Sequence, residues 1–230
     1  MKYFILLFGL VLIQKQIIGL FLGPLKSTIS PQKYLLFFNG FLHRSTNYIG
    51  LLEKINTQNI IVDAPDFTSL SFENEFYKYY NHIDSVRDNI KNYNLKSDDV
   101  IFCGHSRGGL IASNLIHNTE FENLVLIAPV DYEKKILIKN INVTNILLFG
   151  LELDYKIKQF PSYLNYNHFD TNINEEKKKT LKYENFGHED ITSNSPLFKF
   201  ICKSNYNKTE LDNLTSNIAN NISKFSRYHI

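Results

Sequence analysis

Val100-Ile101-Phe102-Cys103-Gly104-His105-Ser106-Arg107-Gly108-Gly109-Leu110-Ile111-Ala112-Ser113-Asn114-Leu115-Ile116 joins an apolar run, a serine framed by glycines and a stretch with apolar residues at helical spacing. It reads as a strand, a tight turn and a helix, with Ser106 at the tip. A serine held there adopts strained backbone geometry, and glycine is needed at Gly104 and Gly108, where a side chain would collide with the neighbouring strand or helix. The pattern G-x-S-x-G is short for a chain with ten glycines. The strand before it and the helix after it give it weight. The stretch reads as a nucleophile elbow, with Ser106 as the nucleophile.

Around the elbow, strand-like and helix-like segments alternate, which predicts a mostly parallel sheet with helices on both faces. Tyr34–Phe38, Asn59–Pro65, Leu124–Pro129 and Asn145–Gly150 are buried strands, and Leu181–Glu184 is a shorter one. Tyr48–Ile55 has helical spacing. Residues 73–94 form a long amphipathic helix with Phe76, Tyr79, Tyr80, Ile83, Val86 and Ile90 toward the core. The order of nucleophile, later acid and late histidine is that of the α/β-hydrolase layout.

The chain has 230 residues and is 43% hydrophobic, enough for one such domain. A net charge of +2 from 25 basic and 23 acidic residues leaves no nucleic-acid patch, and Lys177-Lys178-Lys179 beside Glu175-Glu176 reads as a solvated helix face. Met1-Lys2, then apolar residues 3–13, the polar Gln14-Lys15-Gln16 and a second apolar stretch 17–22 suit a signal peptide, with Gly19 before a cleavage point. Residues 1–23 are therefore set apart from a single domain over 24–230. This leader points to the secretory pathway, with an uncleaved membrane anchor or a cytoplasmic chain as alternatives. The polar break argues against a spanning helix, which needs about 20 apolar residues. Cys103 lies in the elbow strand and Cys202 near the C-terminus, so a disulfide between them is not expected.

Of the seven histidines, His188 in Asn185-Phe186-Gly187-His188-Glu189-Asp190 follows a short strand and a glycine, late in the domain, and is the candidate base. His105 points away along the turn, and His43, His82, His117, His168 and His229 read as surface residues. Two carboxylates compete for the acid. Asp131 follows the first strand after the elbow and Asp154 the second; spacing alone favours Asp154.

The chain resembles the chlorophyllase group of α/β hydrolases. The likeness rests on Phe37-Phe38-Asn39-Gly40-Phe41 with Tyr48, Leu51-Leu52 and Asn59–Pro65, on Gly104-His105-Ser106-Arg107-Gly108-Gly109, and on Pro129-Val130-Asp131 with Phe186–Asp190. It spans residues 34 to 205. It implies a compact α/β-hydrolase fold and a Ser106-His188-Asp131 triad, since the family's acid lies in the Pro-Val-Asp segment. Asn39 departs from the family's histidine and removes an imidazole from under the site. With the leader gone, a sheet of about six strands is expected.

These residues predict attack by Ser106 on a carboxylic ester, with the backbone N–H groups of Phe41 and Arg107 as oxyanion donors. No metal or organic cofactor is required. The partner is a small-molecule or lipid-like ester, and association with a membrane or lipid surface stays open. Phe41, Leu42, Phe67, Leu70, Phe72 and Phe76 are candidates for an apolar acyl pocket, with core packing expected for at least half of them. Two other readings stand beside this one: a thioesterase or acyltransferase using the same triad, and a non-catalytic binding protein on the hydrolase fold.

Overall fold

A computed structural model describes residues 19–23, 31–130, 145–151, 178–193 and 207–225. Seven strands form one sheet in these residues: β1 (Leu20–Leu22), β2 (Lys33–Phe38), β3 (Ile60–Ala64), β4 (Val100–His105), β5 (Asn123–Ile127), β6 (Asn145–Leu151) and β7 (Lys178–Tyr183). Their spatial order is β1-β3-β2-β4-β5-β6-β7, and every pairing is parallel except β1 with β3. The helices are α1 (Ile49–Asn56), α2 (Phe72–Asn92), α3 (Arg107–Ile116) and α4 (Lys208–Phe225).

Strands buried on both faces read as continuous apolar runs, because period-2 alternation sends successive residues to opposite cores. Leu36, Phe38, Phe102 and Leu126 pack with Tyr79, Val86, Leu110 and Leu115 of α2 and α3. Leu35, Phe37, Ile101, Cys103 and Val125 pack with Leu51, Ile55, Leu214 and Ile218 of α1 and α4. The α2 face is tied to the sheet by polar contacts as well. Tyr34 donates to Asp63 on β3, His82 of α2 meets the same carboxylate oxygen at 2.7 Å, and Asn89 donates to the Tyr34 hydroxyl.

The sheet gains an edge strand beyond the six expected. β1 comes from the second apolar stretch of the leader, and its register of Leu20 with Ala64 and Leu22 with Val62 uses the free edge of β3. Leu20 also donates its N–H to Ser45 Oγ. A cut after Gly19 keeps this strand; a cut at residue 23 removes it.

Two expectations are corrected. Lys178 and Lys179 open β7 and pair with Ile146 and Leu147, so they belong to a strand and not to a helix face. β7 is the last strand of the sheet and needs only partial burial: Lys179 and Lys182 are exposed and its other residues are half-buried. Tyr80 is 50% exposed, whereas Glu75, a carboxylate, takes an inward position on the apolar face of α2. Of the pocket candidates, Phe72 is core and Phe67 and Phe76 pack against it, in line with core packing for half of the six, and Leu70 is 56% exposed. Among the described residues no helix is long and apolar enough to cross a membrane.

Candidate active site

The register places Phe38, Gly104 and Leu126 side by side on β2, β4 and β5. The loops that follow these strands therefore open at one edge of the sheet, where parallel α/β sheets gather their functional groups. Ser106 sits between β4 and α3 with φ 55° and ψ −124°. That conformation is unfavourable for any residue with a Cβ. The turn is held by Ser106 N–H to Ile127 O and by Gly109 and Val130 N–H to Ser106 O.

The flanking glycines are required by contact. A Cβ on Gly104 would lie 2.4 Å from Gly108 O, and one on Gly108 would lie 2.0 Å from Phe38 O. Both distances are far inside van der Waals contact, so α3 packs backbone to backbone on β2 and β4.

His188 lies beside the elbow. Its ring is 4.6 Å, centroid to centroid, from that of His105, the residue before Ser106. A chain of hydrogen bonds fixes this approach. His105 Nε2 faces the His188 carbonyl at 3.0 Å and therefore donates to it, which leaves Nδ1 to accept from the Tyr48 hydroxyl at 2.9 Å. The Tyr48 oxygen in turn accepts from Gly40 N–H at 2.9 Å. Burial pushes the His105 pKa well below its ordinary value, as this neutral tautomer needs. His105 thus turns away from the nucleophile and carries the frame under it, linking three loops.

His43 overturns its reading as a surface residue. It is 4% exposed, and its Nε2 meets Glu189 Oε2 at 2.9 Å while its Nδ1 donates to Phe41 O at 2.9 Å. Both ring nitrogens thus face oxygen atoms of other residues. Burial raises the Glu189 pKa, but the hydrogen bond and charge of His43, with His188 and His105 behind it, bring it down to about 2. Thr192 Oγ1 also reaches Glu189. The pair joins the loop after β2 to the loop carrying His188. An imidazole thus stands near the site although Asn39 replaces the one expected there.

Asn39 donates through Nδ2 to Pro65 O, and its N–H goes to the Tyr79 hydroxyl. Asn39 and Gly40 have thus given their N–H groups to tyrosines. The N–H groups of Phe41 and of Arg107, the first residue of α3, meet no acceptor among the described residues. These are the two N–H groups named as oxyanion donors.

The sequence reading missed the Arg107 side chain. It is 1% exposed and meets Glu75 of α2, 0% exposed, at 2.9 Å. The contact is one of charge and not an aligned hydrogen bond. Burial pushes the Glu75 pKa upward, and Arg107 is the chief group pulling it back. The guanidinium also lies over the Phe41 ring, 5.0 Å from its centroid. Glu75 carries a detectable sign, since it is a charge at an inward position of a helical apolar stripe. Asp131 and Asp154 both lie outside the described residues, as does Cys202.

No family model and no curated protein matches the chain. Solved structures do. A sugar hydrolase from Lactococcus lactis superposes with TM-score 0.62 at 13% identity, covering 89% of this chain and 91% of its own. The esterase domain of a Rhodothermus marinus protein gives 0.60 at 14%, covering 90% and 92%. A CIB-like hydrolase from Thermoplasma acidophilum gives 0.55 at 15%, covering 86% and 89%.

Proposed function

We propose that this chain, which has the α/β-hydrolase fold, is a serine hydrolase that cleaves carboxylic esters. The observation that carries this reading is Ser106 at φ 55° on a strand-turn-helix elbow with the His188 loop bound against it. Strain of this kind costs about 1–3 kcal/mol and persists where function uses it.

In the proposed reaction His188 takes the Ser106 proton as Oγ attacks the ester carbonyl, and returns a proton to the leaving alcohol. Water then hydrolyses the acyl-enzyme by the same route. The Phe41 and Arg107 N–H groups receive the oxyanion, each worth about 3 kcal/mol in the transition state. Asp131 orients His188 in the reading drawn from the chlorophyllase likeness, and Asp154 is the alternative. The substrate is an apolar ester, in keeping with structural neighbours that include esterases and a hormone-sensitive lipase. Secretion, directed by the leader, belongs to the same proposal.

The test is turnover of p-nitrophenyl esters from acetyl to palmitoyl by the full chain. Ser106→Ala and His188→Ala are each expected to lose about 10⁴-fold or more in kcat. Asp131→Ala and Asp154→Ala identify the acid by which of them falls. Turnover that survives Ser106→Ala overturns the proposal.

A further inference from the structure

A buried ion pair is a poor stabilising device, because apolar residues of similar volume in its place are often neutral or better. Arg107 has a further disadvantage, since a cation at the first position of α3 opposes the positive end of the helix dipole. Its burial against Glu75 calls for a role that an apolar side chain cannot fill.

The geometry points to Arg107 and Glu75 as positioning residues for the oxyanion donors, an inference that rests on the serine-hydrolase reading above. One donor is the peptide N–H of Arg107 itself. The other belongs to Phe41, and the Arg107 guanidinium covers the Phe41 ring at 5.0 Å. A single side chain therefore spans both donors, and its planar head sets their separation. Glu75, from α2, holds that head at 2.9 Å and stops it from turning toward solvent. On the C-terminal side of Phe41, His43 holds the carbonyl of the next peptide, so the residue is fixed at its ring and at its C=O. An aliphatic residue would fill the volume without fixing a plane, and lysine would keep the charge without the flat face.

The double variant Glu75→Gln/Arg107→Met removes both charges together, so no unpaired ion is left in the core. It is expected to unfold within a few degrees of the wild type, and its kcat on the best p-nitrophenyl ester is expected to fall about 10–100-fold with KM within about twofold. Affinity for a trifluoromethyl ketone, whose adduct with Ser106 carries the oxyanion, falls by the same factor. Arg107→Lys keeps a cation for Glu75 and shows the same split between kcat and KM. Wild-type kcat and ketone affinity in the double variant, or a loss confined to KM in Arg107→Lys, overturn the inference. They do so while Ser106→Ala still abolishes turnover; turnover that survives Ser106→Ala overturns the hydrolase reading and this inference together.

Discussion

Glu189→Gln tests the frame behind the site through its pH dependence. Glu189 is buried and held by His43 at 2.9 Å, with its pKa brought down from 4.5 to about 2. A carboxyl with a depressed folded-state pKa adds stability above its unfolded pKa and loses it as pH falls toward the folded value. At 1.36 kcal/mol per pKa unit, the ionised group contributes about 3 kcal/mol at pH 7 and about 1 kcal/mol at pH 3. Glutamine has the same shape and does not titrate, so subtracting its unfolding free energy from that of the wild type isolates this one group. Urea unfolding of both proteins from pH 7 to pH 3 should show the difference shrinking by about 2 kcal/mol, most steeply below pH 4.5. A difference constant to within about 0.5 kcal/mol across that range would refute the argument, because it would mean that Glu189 is held no better ionised than neutral.

Other outcomes follow from single contacts. Tyr48→Phe removes an oxygen that accepts from Gly40 and donates to His105, leaving two buried groups unpaired, and should cost about 2–4 kcal/mol in urea unfolding. Gly108→Ala places a Cβ 2.0 Å from Phe38 O, so α3 must shift; a loss above about 3 kcal/mol, or failure to accumulate folded protein, is expected in thermal unfolding. Ser106→Gly relieves the φ of 55° and should raise stability by about 1 kcal/mol while abolishing ester turnover, which paired unfolding and activity assays would check.

The order of strands and helices and the elbow were legible in the chain itself, because they depend on local rules. An apolar run on either side of Gly104-His105-Ser106-Arg107-Gly108 leaves few alternatives to strand, turn and helix, and the 3.6-residue period of α2 shows over twenty residues. His188 stands out in sequence by its place after a late strand and a glycine, and the fold brings its ring to 4.6 Å from that of His105. β1 was obscured because a short apolar strand and the end of a signal peptide have the same composition, and only the open edge of β3 distinguishes them.

What tertiary structure decided are contacts between residues far apart in the chain. His43 reads as an ordinary loop histidine until Glu189, 146 residues later, is folded against it. Arg107 attracts notice in sequence only for its peptide N–H; the meeting of its side chain with Glu75 and Phe41 depends on α2 packing beside α3. Periodicity tells which residues turn inward. Which buried charges then find each other is settled by strand order and helix packing, because the energy of an ion pair depends on a distance that no local pattern encodes.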